Sequence, residues 1–77
     1  MLINNDDIQK FKEFQLAIND ADLADIQIQV GPDKYKISDK HIAEFKYVGL
    51  SPYYIVEEIL SNTTLEILLE DGVLIKI

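Results

Sequence analysis

The chain has 77 residues, 14 of them acidic and seven of them lysine, with no arginine, no cysteine and one histidine. Its length predicts a single domain over residues 1–77, and its net charge of −7 opposes direct contact with nucleic-acid phosphates or anionic lipid. The absence of cysteine excludes disulfides, thiol nucleophiles and thiolate metal sites.

The first predicted element is a helix that is capped by Asn4 or Asn5 and ends near Asn19. Asp6 and Asp7 favour this start, because carboxylates are stabilised in the positively polarised first turn of a helix. Apolar side chains recur at helical spacing at Ile8, Phe11, Phe14 and Ile18. The helix is therefore expected to present one apolar face to a core.

The second predicted element is a hairpin. Residues 25–31 alternate apolar and polar side chains, which is the period of a half-buried strand. Residues 31–34, with the sequence Gly-Pro-Asp-Lys, form a turn, because proline presets the backbone angle of the second turn position. Pairing Val30 with Tyr35 then sends the apolar side chains of both strands to one side of the hairpin.

Two helices are predicted after this hairpin. Ser38 caps the first of them, and Gly49 ends it in the left-handed conformation. Ser51 and Pro52 begin the next helix, since proline at the first helical position loses no hydrogen bond. The apolar stripes of the two helices consist of Ile42, Ala43 and Phe45, and of Ile55, Val56, Ile59 and Leu60.

Residues 64–77 are predicted to form a second hairpin. A two-residue turn at Asp71 and Gly72 would place the apolar side chains of its strands on opposite faces, so a three-residue loop at residues 70–72 is preferred. The inward pairs are then Leu69 with Val73, Ile67 with Ile75 and Leu65 with Ile77. The outward pairs are Leu68 with Leu74, both apolar, and Glu66 with Lys76, an ion pair.

These elements predict an α+β fold in the order α-β-β-α-α-β-β. Two hairpins form a four-stranded antiparallel sheet, and three helices cover one of its faces. The last strand is expected to be an exposed edge, because it ends the sequence. Such an edge either stays unpaired or adds a strand from a partner or a second copy.

Few residues are suited to catalysis. His41 is the one usual general base, Glu44 follows one turn later, and no serine has the sequence context of a nucleophile elbow. A small hydrolase would need a cleft that holds His41 and two carboxylates, so we expect no enzymatic activity and no cofactor. The closest approach to a metal site is Asp20, Asp22 and Asp25, for which a solvated acidic loop is the favoured interpretation.

Two helices followed by a hairpin is also the order found in winged-helix proteins, which bind DNA. A recognition helix offers Arg, Lys, Asn or Gln to the bases, whereas the exposed side of this helix carries Glu57 and Glu58. The expected wing adds Glu70 and Asp71, so both elements would be repelled by DNA. Residues 34–46 have a net charge of +2 and are interpreted as a solvated face.

The acidic side chains themselves are the candidate working surface. Carboxylates at phosphate-like separations can occupy a basic groove that binds DNA or RNA, with salt-sensitive association. Tyr53 would be an aromatic anchor beside Glu57. The alternatives are a tyrosine ring that lies over its neighbours and carboxylates that only keep the protein in solution. The predicted partner-binding residues are Asp20, Asp22, Asp25, Tyr53, Glu57, Glu58, Glu70 and Asp71.

Three segments carry a resemblance to a known group of proteins. They read MLINNDDIQKFKEF, IQIQVGPDKYKIS and HIAEFKYVG, and lie within about the first 50 residues. Their order and composition resemble small acidic proteins encoded by phages of Gram-positive bacteria, some of which are anti-CRISPR inhibitors. The resemblance implies a stoichiometric inhibitor that occupies a nucleic-acid-binding or regulatory surface of a host protein, and it transfers no functional residue.

The sequence thus favours a small acidic protein-binding module, encoded by a phage or mobile element and acting on a host protein with a basic surface. No apolar run approaches the length of a membrane span and the first residues do not resemble a signal peptide, so we expect the cytoplasm of the host cell, with neither nucleic acid nor membrane as direct partner. The alternative is an assembly protein that forms a homodimer through Leu68, Leu74 and the last strand.

Overall fold

The computed structural model describes the chain from Met1 to Ile77, with the side chains of residues 1–6 and 10–77. The roles predicted for the side chains of Asp7 and Ile8 lie outside the described residues. The elements are β1 (Leu2–Asn4), a 3-10 helix (Asn5–Phe14), α1 (Gln15–Asp20), a short 3-10 helix (Leu23–Asp25), β2 (Gln27–Val30), β3 (Asp33–Ile37), α2 (Asp39–Val48), α3 (Pro52–Ser61), α4 (Leu65–Glu70) and β4 (Leu74–Lys76). The α+β class is confirmed.

The sheet has four strands in the order β1-β2-β3-β4, but it is mixed. Strand β1 pairs with β2 in parallel, with Ile3 opposite Ile28, while the other two pairs are antiparallel. The prediction of a wholly antiparallel sheet built from two hairpins is therefore wrong. The helical residues after β1 form the crossover that a parallel pair requires, so the N-terminal residues supply the fourth strand.

The β2–β3 hairpin forms where predicted but in a different register. Ile28 pairs with Tyr35 and Val30 pairs with Asp33, which leaves Gly31 and Pro32 as a two-residue loop. The shorter loop adds pairs to the backbone ladder, so more N–H and C=O groups are satisfied than in the predicted register. Because the shift is by two residues, the apolar side chains stay on the buried face.

Helix α2 begins and ends as predicted, and helix α3 begins as predicted. The Ser38 hydroxyl accepts the backbone N–H of His41, and the Ser51 hydroxyl accepts that of Tyr54, at 3.2 Å in both cases. Gly49 caps the end of α2 with a φ of 81°, a conformation that other residues adopt only with strain. Pro52 occupies the start of α3.

The predicted second hairpin does not form, because residues 65–70 are the helix α4. Thr64 caps its start by accepting the backbone N–H of Ile67, and Gly72 leaves its end with a φ of 73°. Backbone bonds from Gly72 to Leu69 and from Val73 to Leu68 complete a Schellman motif. Backbone groups at both ends of this helix thereby have hydrogen-bond partners, which favours the helix over a strand of the same residues.

This helix reverses the burial that the hairpin predicted. Leu68 and Leu74 are buried at 6% and 3% exposure, whereas both were expected on the outer face. Of the six side chains expected to face the core, Leu65 and Val73 pack partly against it, and the other four are exposed, at Ile67, Leu69, Ile75 and Ile77. Lys76 forms its ion pair with Asp33 at 3.2 Å, not with Glu66, because β4 pairs with β3.

The core lies between the helices and one face of the sheet. Each strand contributes buried side chains to it, among them Ile3, Ile28, Tyr35, Ile37 and Leu74. The helices add Phe11, Ile18, Ile42, Ile55, Val56, Ile59 and Leu68. The opposite face of the sheet carries the alternate residues, including Gln27, Gln29, Lys34 and Lys36.

The strands β1 and β4 are the two edges of the sheet, so the expected edge position of the last strand is confirmed. In the described part of the chain, no helix is both long and apolar enough to cross a lipid bilayer.

Candidate partner-binding groove

A groove of about 280 Å³ lies between the end of α2, one side of α3 and the connection from α4 to β4. Its lining is mostly apolar, with two carboxylates, one threonine and one tyrosine. The lining residues are Phe45, Leu50, Tyr54, Ile55, Glu58, Ile59, Thr63, Leu68, Asp71 and Val73. All of them except Phe45 come from the segment 50–73, so the groove belongs to the C-terminal part of the fold.

Two helix ends of the same kind build the walls of this groove. At the end of α2, the backbone N–H of Leu50 bonds to the carbonyl of Phe45, as the N–H of Val73 bonds to that of Leu68 after α4. In a Schellman motif these two residues are the ones whose apolar side chains meet. Both such pairs line the groove, so the capping signals at Gly49 and Gly72 also shape its surface.

The floor of the groove is one face of α3. Ile55 and Ile59 lie one turn apart on this face and are buried, and Tyr54 and Glu58 form the adjoining row. The side-chain amide of Asn62 donates to the Glu58 carboxylate at 2.9 Å, one turn further along. This bond holds the carboxylate in a fixed position at the edge of the groove.

The charge around the groove has one sign. Glu58 and Asp71 are its charged lining residues, and no lysine lies among the lining side chains. Residues 47–75, which form most of the groove, contain five carboxylates and no lysine. Outside this segment, two carboxylates of the described side chains pair with a lysine, Asp22 with Lys46 at 3.7 Å and Asp33 with Lys76 at 3.2 Å.

The predicted partner-binding residues fall into separate places. Glu58 and Asp71 are brought together at the groove, and Glu70 directly precedes Asp71 in the chain. Tyr53 lies elsewhere, since its ring stacks on Phe11 with the ring centroids 4.7 Å apart and is partly buried against the core. Glu57 lies one turn after Tyr53, on the side of α3 that turns away from the groove lining.

The other three predicted residues lie in and beside the connection between α1 and β2. The Asp22 carboxylate accepts the backbone N–H of Ala24 at 3.1 Å and pairs with Lys46, so it caps the short 3-10 helix. Asp20 and Asp25 are exposed, and this loop contributes nothing to the groove lining. Among the described side chains, no group of three or more histidines and carboxylates is placed to hold a metal ion.

Sequence reasoning missed the tyrosine of the groove. Tyr54, not Tyr53, lines it, and its side chain is 49% exposed. The signal was present, because Tyr54 and Glu58 lie one turn apart on α3, each directly before a residue of the buried pair Ile55 and Ile59. That row adjoins the buried stripe of α3, so it marks the boundary between core and surface.

A second cavity of about 180 Å³ lies between α4, the end of α3 and the inner face of the sheet. Its apolar lining includes Ile28, Leu65 and Leu74, and its polar lining includes Asn5 and Thr64. Leu68 lines both this cavity and the groove. The side chain of Leu68 therefore forms part of the wall between them.

The single histidine contacts a serine, and the sequence did not predict this contact. The Ser38 hydroxyl oxygen lies 2.5 Å from Nδ1 of His41 and also accepts the backbone N–H of His41. A hydroxyl next to an imidazole can be activated as a nucleophile. Here the serine is only 7% exposed and neither residue lines the groove, so the contact is explained as a helix cap.

We expect Ser38→Ala to lower the free energy of unfolding by about 1 kcal/mol, because the cap bond to the first turn of α2 is lost. Urea denaturation followed by circular dichroism measures this change. Ser61→Ala, at an exposed position in the last turn of α3, is the matched control and should change the stability by less than about 0.5 kcal/mol. Equal effects of the two substitutions would show that Ser38 is not a cap.

Comparison of the chain with protein-family models, with curated proteins and with solved structures gave no match.

Proposed function

We propose that the protein is an acidic binding module that inhibits or modulates a partner protein by occupying a basic surface of that partner. The observation that carries this proposal is an apolar groove that is lined by the carboxylates of Glu58 and Asp71 and formed mostly by the lysine-free segment 47–75. Ordinary solubility requires a net charge, but it does not require the two signs to be separated. A phage or mobile-element origin, and a partner surface that normally binds nucleic acid, belong to the same proposal.

The separation of charge has a defined consequence for binding. A basic partner is attracted to the segment 47–75 over a distance of about one Debye length, which accelerates encounter and makes the association rate depend on salt. The apolar floor then supplies contact area that exposed carboxylates alone do not offer. The lysines of the outer sheet face, Lys34 and Lys36, lie on a different surface and favour docking through the groove side.

A second candidate function is self-assembly through the edge strand β4. It is favoured by the exposed side chains of Ile75 and Ile77 beside an edge that has no neighbouring strand in the sheet. Leu68 and Leu74 are buried in the folded chain, so this candidate function relies on the side chains of Ile75 and Ile77 and on the backbone of β4. Assembly through backbone and apolar contacts would respond little to salt, in contrast to the binding of a basic partner.

The test is affinity capture from a lysate of the natural host with the protein immobilised, at about 50 mM and about 300 mM sodium chloride. Two double variants remove the same charge at different places: Glu58→Gln with Asp71→Asn at the groove, and Asp20→Asn with Asp25→Asn in the α1–β2 loop. We expect the groove variant to lose the captured basic partner and the loop variant to retain it.

The captured partner is then purified and its association rate is measured. This rate should fall by about tenfold or more between the two salt concentrations. Undiminished capture by both double variants would contradict the proposed function. Loss of capture by the loop variant alone would keep the acidic surface as the binding site but move it away from the groove.

A further inference from the structure

We infer that the groove binds the apolar side of a lysine- or arginine-rich amphipathic helix of the partner. This inference rests on the proposed function and specifies both the site and the chemistry of its ligand. It follows from three properties of the groove, which are its size, the arrangement of its charges and the exposure of its apolar rim.

The size of the groove limits how much of a ligand it can hold. Its volume of about 280 Å³ is close to the lower end of the range of about 300–1,000 Å³ that is typical of small-molecule sites. Its polar groups, Thr63 and the Tyr54 hydroxyl among them, stand at an otherwise apolar surface formed by Phe45, Leu50 and Ile55. A few aliphatic or aromatic side chains of a partner protein would fill such a space.

The charges of the groove indicate which kind of secondary structure in the partner carries the inserted side chains. The two charged lining residues, Glu58 and Asp71, are both acidic and belong to different elements. A ligand that inserts apolar side chains and meets carboxylates beside them must carry basic residues next to its apolar ones. An amphipathic helix has this pattern, with apolar residues at i, i+3, i+4 and i+7, and its lysine and arginine stems can reach a charged rim.

The apolar rim extends the surface beyond the groove. Val48 lies one turn after Phe45 on α2 and is 66% exposed, and the lining residues Leu50 and Tyr54 are 38% and 49% exposed. Exposed apolar side chains in such close succession mark an interaction surface on a soluble domain. Tyrosine is also among the residues that contribute most to binding at protein interfaces.

A second copy of this chain is a poor occupant of the groove. A two-fold contact would place the same surface on both sides, so the lysine-free segment 47–75 would face its own carboxylates. Like charges opposed in this way disfavour association. Charge complementarity thus selects a basic ligand over self-association at this site.

The test uses synthetic peptides of about 14 residues with blocked ends and a fluorescent label. The first carries leucines at i, i+3, i+4 and i+7 and lysines on the remaining helix surface. The second has the same composition, but its leucines do not share a face. The third has glutamate in place of every lysine. Fluorescence anisotropy gives the dissociation constants, and amide chemical shifts of the protein locate the bound peptide.

The protein variants are Leu50→Ser and Tyr54→Ser at the groove, with Leu16→Ser as the control. Leu16 is 82% exposed on α1 and does not line the groove, so its substitution removes the same kind of surface elsewhere. Circular dichroism establishes that each variant is folded. We expect each groove variant to bind the first peptide about tenfold more weakly and the control to bind it unchanged.

We expect the first peptide to bind at least about tenfold more tightly than the second, and the third not to bind. The shifted amides should include those of Leu50, Thr63 and Val73. Equal binding of both basic peptides, unaffected by Leu50→Ser and Tyr54→Ser, would overturn the groove inference while leaving an acidic binding surface. Tight binding of the glutamate peptide would overturn the charge argument. Failure of every peptide would overturn the inference, and the capture experiment with the natural partner would then decide the proposed function separately.

Discussion

Leu68→Ala is expected to lower the free energy of unfolding by about 2–5 kcal/mol, whereas Leu69→Ala lowers it by less than about 1 kcal/mol. Leu68 is buried at 6% exposure and touches two cavities, so its loss enlarges existing empty space as well as removing apolar burial. Leu69, its neighbour in α4, is 41% exposed. The contrast is large for a domain of this size, whose total stability is roughly 5–10 kcal/mol.

Urea denaturation of the two variants, followed by far-ultraviolet circular dichroism, measures the difference. The hairpin predicted from the alternation of residues 64–77 would give the opposite order, because it buries Leu69 and exposes Leu68. A larger destabilisation by Leu69→Ala would therefore contradict the helix α4 and the groove that depends on it. The two alanine variants lose the same atoms, so the comparison depends on burial alone.

The Leu68 substitution also bears on binding. Its side chain is part of the wall between the groove and the second cavity, and its carbonyl accepts the bond that places Val73. The shape of the groove therefore depends on the core, because the buried side chain of Leu68 forms part of its wall. A groove with this construction keeps its shape only while α4 remains packed on the sheet.

The parts of the fold that could be predicted are those specified by local chemistry. Ser38 and Ser51 place an oxygen where a helix begins, and Gly49 adopts the conformation that ends one. Ile55 and Ile59 fall on one helical face, so burial follows from spacing. None of these signals depends on distant residues, which is why the start and end of α2 and the start of α3 could be predicted from the sequence.

The segment after α3 carries two local patterns at once. Leu65, Ile67 and Leu69 alternate like a strand, while Thr64 and Gly72 are the caps of a short helix. Periodicity over so few residues cannot decide between the two. The choice is made by tertiary packing, because only the helix buries Leu68 against the core. The alternation alone predicts a hairpin in which Leu68 and Leu74 form an exposed pair, whereas both are buried in the structure.

The candidate site was predictable in composition but not in position. Glu58 and Asp71 could be selected as acidic residues on predicted surfaces, and both line the groove. The groove itself joins Phe45 with residues 50–63 and 68–73, whose relative placement no local pattern specifies. The position of Tyr53 outside the groove could not be predicted for the same reason, since its stacking on Phe11 is a contact between distant parts of the chain.

The parallel strand β1 leads to the second large effect. We expect Ile3→Ala to lower the free energy of unfolding by about 2–5 kcal/mol, because Ile3 is 7% exposed and lies opposite the buried Ile28. Leu2→Ala, at 50% exposure on the other face of the strand, should cost less than about 1 kcal/mol. Thermal and urea unfolding of both variants measure the contrast.

Hydrogen exchange adds a second measurement of the same strand. In Ile3→Ala the amides of β2 should exchange faster, since β1 covers the edge that β2 would otherwise expose. Loss of that cover also moves the open edge from β1 to the longer strand β2, so the variant should self-associate more readily than the parent chain. Equal stability of the Ile3 and Leu2 variants, with unchanged exchange in β2, would show that β1 is not part of the sheet. The sheet would then consist of β2, β3 and β4 alone.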